Sequence, residues 1–302
     1  MPPRAAIARS IPVLLCFLTP LLAAEKAQEP PAPIAYGPGR ELCKLANPEI
    51  DESSGIAASR RHAGVFWTHN DAGNSARVFA FNARGEDLAT VEVEGAISHD
   101  WEDIASFTLD GKPYLLIADI GDNDAMRDQY CLYIVPEPPL DPAKRGIRAK
   151  TRVGMAIEFR YEDEAHNCEA VAFEPATRTL LLVTKVPGLE CEVFSLPLPK
   201  QQPKELLVAR AIATLKLPMV TAMDVSPDGL RAVVLTYGNA YEFVRRPDEK
   251  WAQAFAQVPR MIRVPPRRQG ESVCYGLDGK TLYLTSEKTP APLIEIPVAQ
   301  GK

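Results

Sequence analysis

An all-β fold, most simply a β-propeller of five four-stranded blades, is what this chain of 302 residues predicts. Three observations carry the prediction. A strand–turn–strand pattern recurs five times along the sequence. Each copy is followed by a third short strand, and the first four copies by a fourth. A lone strand precedes the first copy, matching the strand that the last copy lacks. A four-stranded unit repeating every roughly 40 to 60 residues is the sequence mark of a propeller.

The N-terminus stands apart from the repeat. "MPPRAAIARS" carries Arg4 and Arg9, and "IPVLLCFLTPLLAA" follows as a short apolar run ending in small residues. Residues 1–24 read as a signal peptide cut after Ala24, which sends the chain to the periplasm or the extracellular space. Pro12 and Pro20 interrupt the run, which is short for a membrane span, and no other stretch is long and apolar enough. Cys16 follows Leu15, where a lipidation site carries a small residue, so a lipoprotein is not expected. Residues 25–38, "EKAQEPPAPIAYGP", read as a flexible proline-rich lead. Residues 39–302 form the single propeller domain.

The first two strands of each unit are "SSGIAASRRHAGVFWTHND" from Ser53, "WEDIASFTLDGKPYLLIADIGDN" from Trp101 and "CEAVAFEPATRTLLLVTK" from Cys168. They continue with "AMDVSPDGLRAVVLTYGN" from Ala222 and "GESVCYGLDGKTLYLTSEK" from Gly270. Third strands are "RVFAFN", "CLYIVP", "EVFSLPL", "AYEFVRR" and "PLIEIPV"; fourth strands are "DLATVEVEG", "VGMAIEFRY", "LVARAIATLKL" and "RMIRVPP". "RELCKLA" (40–46) supplies the missing fourth strand of the last unit and closes the ring. Six blades is the rival arrangement, because the connections at 124–150 and 199–206 have room for further strands.

Composition agrees. Apolar residues make up 46% and charged residues 24%, which suits a packed core, and 28 prolines suit a loop-rich β protein. A net charge of -5 argues against nucleic acid as a partner.

Antiparallel order fixes which ends share a face. The start of the first strand and the end of the second lie on one face, the top, together with the unit-to-unit connections. The turns joining first and second strands lie below and read as ordinary polar turns. The top gathers acids: Glu52, Asp100, Glu102, Asp103, Glu169 and Glu271 at strand starts, Asp71, Asp119 and Asp122 at strand ends. Each "NDAG" or "IGDN" alone is explained as an Asx-turn. Their recurrence at one phase of several units is not, and carboxylates crowded round a channel mouth need a counter-charge. A divalent cation, Ca2+ first, held by Glu52, Glu102, Asp119, Glu169 and Glu271 is the simplest one. His69 and His99, with Asp71, are the candidate catalytic groups. Lys185, Arg267, Arg268 and Lys288 share the face and would bind a small anionic substrate bridged to the metal. Trp67 and Trp101 read as packing between blades, with walling of the pocket as the alternative for Trp101.

Five cysteines follow the signal peptide: Cys43, Cys131, Cys168, Cys191 and Cys274. None forms a CxxC pair, so a zinc ribbon has no support. Cys168 and Cys191 both fall on the top face of the third unit and are the expected disulfide.

"ESSGI", "HNDAG", "DWEDIA" and "ADIGDN", in this order, resemble a group of exported bacterial propeller proteins of largely unassigned function, linked to phytase-like and esterase-like propellers. The resemblance is strongest over residues 51–135. More distantly, Glu52 at a first inner strand is similar to the gluconolactonase and paraoxonase-like propellers. That kinship implies a central Ca2+-type site and hydrolysis of a phosphate ester or lactone. Two departures stand out: fewer blades, and Met223 where the other units offer an acid. No GxSxG, HExxH or P-loop is present. Two functions fit this pattern: a metal-dependent hydrolase of phosphate esters or lactones, and a non-catalytic platform for a peptide, glycan or envelope partner.

Overall fold

A computed structural model describes residue 1 and residues 29–73 and 75–299. Apart from Met1, the signal peptide expected over 1–24 lies outside the described residues, as do 25–28 of the lead.

The chain is all-β save for one short helix. After β1 (Arg40–Lys44) come β2 (Ser53–Ala58), β3 (Val65–Asn70), β4 (Arg77–Asn82) and β5 (Asp87–Glu94), an antiparallel group. A second group is β6 (Trp101–Leu109), β7 (Lys112–Asp119), β8 (Tyr130–Pro136) and, after β9 (Ile147–Arg152), β10 (Met155–Tyr161). The third is β11 (Cys168–Glu174), β12 (Thr179–Thr184), β13 (Cys191–Pro197) and β14 (Leu207–Leu215). The fourth is β15 (Val220–Val225), β16 (Arg231–Thr236), β17 (Ala240–Val244) and, beyond α1 (Trp251–Phe255), β18 (Arg260–Ile262). Last come β19 (Ser272–Tyr275), β20 (Leu282–Thr285) and β21 (Pro292–Ile296), and β1 pairs with β21, Arg40 opposite Glu295. The first strands neighbour one another in a closed cycle: β2 to β6, β6 to β11, β11 to β15, β15 to β19, and β19 back to β2. The arrangement is propeller-like.

The inner strands are buried along almost their whole length, because sheet packs on sheet on both sides. They therefore read as near-continuous apolar runs, while β10 alternates buried and exposed positions toward the rim. Outer edges are covered rather than left open. β9 adds to β5 in parallel, and β10 pairs in parallel with β14, which fuses the second and third groups into one sheet. The 124–150 connection thus holds a strand, β9, that widens the first group, and 199–206 holds none.

An inner strand is also a sheet edge, with amide groups facing the axis and no ladder partner. Side chains fill that role. Asp103 accepts hydrogen bonds from its neighbour Ile104 (2.9 Å), from Val171 on β11 (2.9 Å) and from Met223 on β15 (3.3 Å). Asp224 accepts from Tyr275 on β19 (2.8 Å) and from Val225 (2.8 Å). Hydroxyls add Ser54 to the Glu102 carbonyl, Ser106 to Ala58 and Thr221 to Gly270.

Two expectations are corrected. Residues 32–37 are not a loose lead: Ile34 is buried, Tyr36 bridges Val298, and its hydroxyl donates to Glu242 at 2.6 Å. Arg231 and Arg260 donate to the carbonyls of Ala32 and Ile34. The buried Glu242 needs donors, and the lead supplies one. Nor do Cys168 and Cys191 pair; all five described cysteines are free. β12 lies between their strands, which separates them by about 10 Å, beyond disulfide reach. They also face different core clusters. No helix among the described residues is long and apolar enough to cross a membrane.

Replacing Asp103 with alanine strands three buried amides. We expect a loss of roughly 3 kcal/mol or more in urea unfolding, with Asp103→Asn milder. Unfolded, unreduced protein of residues 25–302 should titrate five thiols, and reductant should leave its melting point unchanged.

Candidate functional site: a carboxylate-rich channel mouth

Four of the five inner strands begin with a register shift against their partner, between Ser53 and Gly55, Trp101 and Asp103, Cys168 and Ala170, and Val220 and Ala222. The extra residue of each bulge is Ser54, Glu102, Glu169 or Thr221. A bulge re-aims the side chain it carries. In two units the bulge brings a hydroxyl that ties to the next inner strand, and in two it brings a carboxylate to the mouth of the channel.

On one side of the mouth, Asp71 (after β3), Asp100 (before β6) and Glu102 bring carboxylate oxygens within 4.8 Å of one another. Glu102 is 5% exposed, and no hydrogen bond reaches its carboxylate among the described residues. Burial, then Glu169, Asp71 and Asp100, hold its pKa well above the ordinary value. Asp100 is pushed up to about 6 by burial and by Asp71, against Arg127. Gly121 makes this crowding possible. A Cβ there would stand 2.2 Å from Glu102 Oε1 and 2.4 Å from Asp100 Oδ2, so any side chain would displace the pair.

The other side is a hydrogen-bonded chain across three units. Lys185, just past β12, donates from Nζ to Glu169 Oε2 (2.6 Å) and to the Tyr237 hydroxyl (3.0 Å). Tyr237, just past β16, donates to Glu271 Oε1 (2.8 Å). The Lys185 ammonium also lies 5.0 Å from the Tyr237 ring centre. Burial lowers the Lys185 pKa, but the charge and hydrogen bond of Glu169 outweigh it. Glu169 itself is pushed up to about 7 by burial, against Lys185 and with Glu271 adding to the rise. Glu271 rises for the same first reason, and its Oε2 is buried with no hydrogen-bond partner among the described residues. Arg267 braces the Tyr237 loop by donating to the carbonyls of Thr236 (2.8 Å) and Gly238 (3.3 Å).

Of the residues picked from sequence, Asp71, Glu102, Glu169, Lys185 and Glu271 meet at this mouth. Others do not. Glu52 is exposed and outside the Asp71–Asp100–Glu102 group; the bulge makes Ser54 its unit's counterpart, and Thr221, not Met223, that of the fourth unit. Asp119 is held by Arg127 at 2.8 Å and accepts the His99 amide. His69 is fully buried, its Nδ1 on the Asn70 carbonyl and its ring edge-on to Trp101; burial lowers its pKa, and no solvent reaches Nε2. His99 is exposed. Arg268 is exposed, and Lys288 sits on Glu287 at 3.3 Å. Trp67 and Trp101 are core residues. Sequence reasoning missed Tyr237, whose only signal was an aromatic at a second-strand end, and undervalued Asp100.

The raised carboxylates set a pH dependence. A native state that holds protons more tightly than the unfolded chain is favoured at low pH, and that advantage is lost as pH rises. Glu102→Gln removes one such group without breaking a hydrogen bond. Without divalent ions, the variant and the parent should be equally stable near pH 4. The variant should gain on the order of 1–3 kcal/mol as pH rises past 7, read from urea unfolding at each pH.

No family profile matches the chain, and no curated protein does. Among solved structures, a gluconolactonase from Xanthomonas campestris aligns over 91% of this chain and 99% of its own, at 13% identity and a TM-score of 0.46.

Proposed function

We propose that this chain is an exported five-bladed propeller that holds one divalent cation, Ca2+ first, at the channel mouth and hydrolyses an ester or lactone there. The observation that carries the reading is the approach of Asp71, Asp100 and Glu102 within 4.8 Å. The donors fit such an ion: all are hard carboxylate oxygens, and the buried Glu102 carboxylate has no hydrogen bond among the described residues. A bound cation would polarise a carbonyl oxygen and lower the pKa of a bound water. The chain's own groups would hold the ion, shape the mouth and place Tyr237 at its rim. His69, sealed in the core, is not set to take a proton from that water, which leaves the task to the carboxylates at the mouth or to the exposed His99. A neutral ester or lactone suits the mouth better than a phosphate ester, whose charge the carboxylates repel.

The second reading is a non-catalytic platform for a peptide, glycan or envelope partner; the engagement of Lys185, Arg267 and Lys288 within the protein counts against the phosphate-ester form of the first.

Elemental analysis of the purified protein of residues 25–302, with melting curves before and after chelation, separates the possibilities. We expect one equivalent of divalent metal and a melting point that falls by about 5 °C or more on chelation. Lactone and aryl-ester hydrolysis should follow the metal and vanish in Glu102→Gln. Absence of metal and of any shift on adding Ca2+ would overturn the reading. A metal-dependent melting point with no hydrolysis across the panel would move the conclusion to the platform.

A further inference from the structure

We infer that Lys185 fills a second cation position at the channel mouth, so that its ammonium, rather than a second metal ion, neutralises Glu169 and Glu271. The inference builds on the cation centre proposed at Asp71, Asp100 and Glu102, but its own geometry is separate. Glu169 and Glu271 are each 4% exposed, on two different inner strands' starts. Two buried carboxylates with no counter-charge would be strongly unfavourable. Lys185 meets the first directly at 2.6 Å and the second through the Tyr237 hydroxyl, by steps of 3.0 and 2.8 Å. Its backbone is pinned as well, the Lys185 amide donating to Asn167 at 2.9 Å. The Tyr237 ring covers the ammonium.

The second oxygen of Glu271 marks the position as one built for a cation. Oε2 is buried and accepts no hydrogen bond among the described residues, although its sister oxygen is satisfied by Tyr237. A buried carboxylate oxygen left so is stabilised only by nearby positive charge. The attraction of Lys185 to Glu271 opposes the effect of burial, and the half-buried Arg267 guanidinium adds to it. The mouth thus carries one position for a metal and one occupied by the protein's own side chain. Removing the lysine charge would leave Glu169, Glu271 and the Tyr237 oxygen as a set of hard oxygen donors.

Calorimetric titration of Ca2+ and of Mn2+ into the protein of residues 25–302 tests this, with parent and variants first matched for secondary structure by circular dichroism. The parent should bind one equivalent. Lys185→Met should bind two, and Lys185→Gln, which keeps a polar side-chain tip without the charge, should also bind two. Lys185→Arg should remain at one, and Lys185→Met with Glu271→Gln should return to one. If the parent binds one and both uncharged variants also bind one, the inference is overturned and the metal centre stands. If the parent binds none and the uncharged variants bind one, the metal centre falls and the inference holds. If none binds any, both fall.

Discussion

One buried carboxylate, Asp103, sits where the inner strands would otherwise leave amides without partners. Every inner strand is an edge at the axis, and its inward amides need partners that the ladder does not supply. Asp103 serves three strands' worth of need from one side chain, reaching β11 and β15 from β6. Asp224 does the same between β15 and β19. The closed cycle is thus held by polar ties at its centre as well as by apolar packing between sheets. The carboxylates at the mouth stand on strands whose spacing those ties set.

The mouth itself runs against stability. Asp100, Glu102, Glu169 and Glu271 all sit above their ordinary pKa, and burial is the first cause for each. Such a group of like charges survives because the backbone concedes space at Gly121 and because Lys185 offsets part of the charge. Conflict of this kind between local preference and global fold concentrates where a protein does its work.

Strand content and unit length were legible because the strand–turn–strand pattern recurs, and the pairing of 40–46 with the last unit because that unit is one strand short. β9 was not: "IRAKTR" is exposed at nearly every position and has no alternation to betray it. The bulges were invisible for a sharper reason. A single extra residue moves a side chain from one face to another, so Glu52 and Ser54 cannot be told apart as channel residues until the register with β3 is known. Acid-rich strand starts were visible as a group, yet which acids converge depended on Arg127 claiming Asp119. His69 drops out as a candidate because phase on a strand says nothing about burial depth. Cys168 and Cys191 were placed correctly at strand starts, but the intervening strand and the opposite core faces lay beyond linear reasoning. The docked lead was hidden because Tyr36 meets its partner Glu242 206 residues away.

The closure between β1 and β21 has a mechanical meaning. The strands are antiparallel, with Arg40 opposite Glu295, and the lead continues the pairing through Tyr36 and Val298. Both chain ends therefore leave from the same end of the seam. A force applied to the two termini would load its hydrogen bonds one after another, as in a zipper, instead of all together in shear. The ring would open at low force from this seam. The parallel junction of β10 and β14, remote from both termini, would be among the last to feel the load.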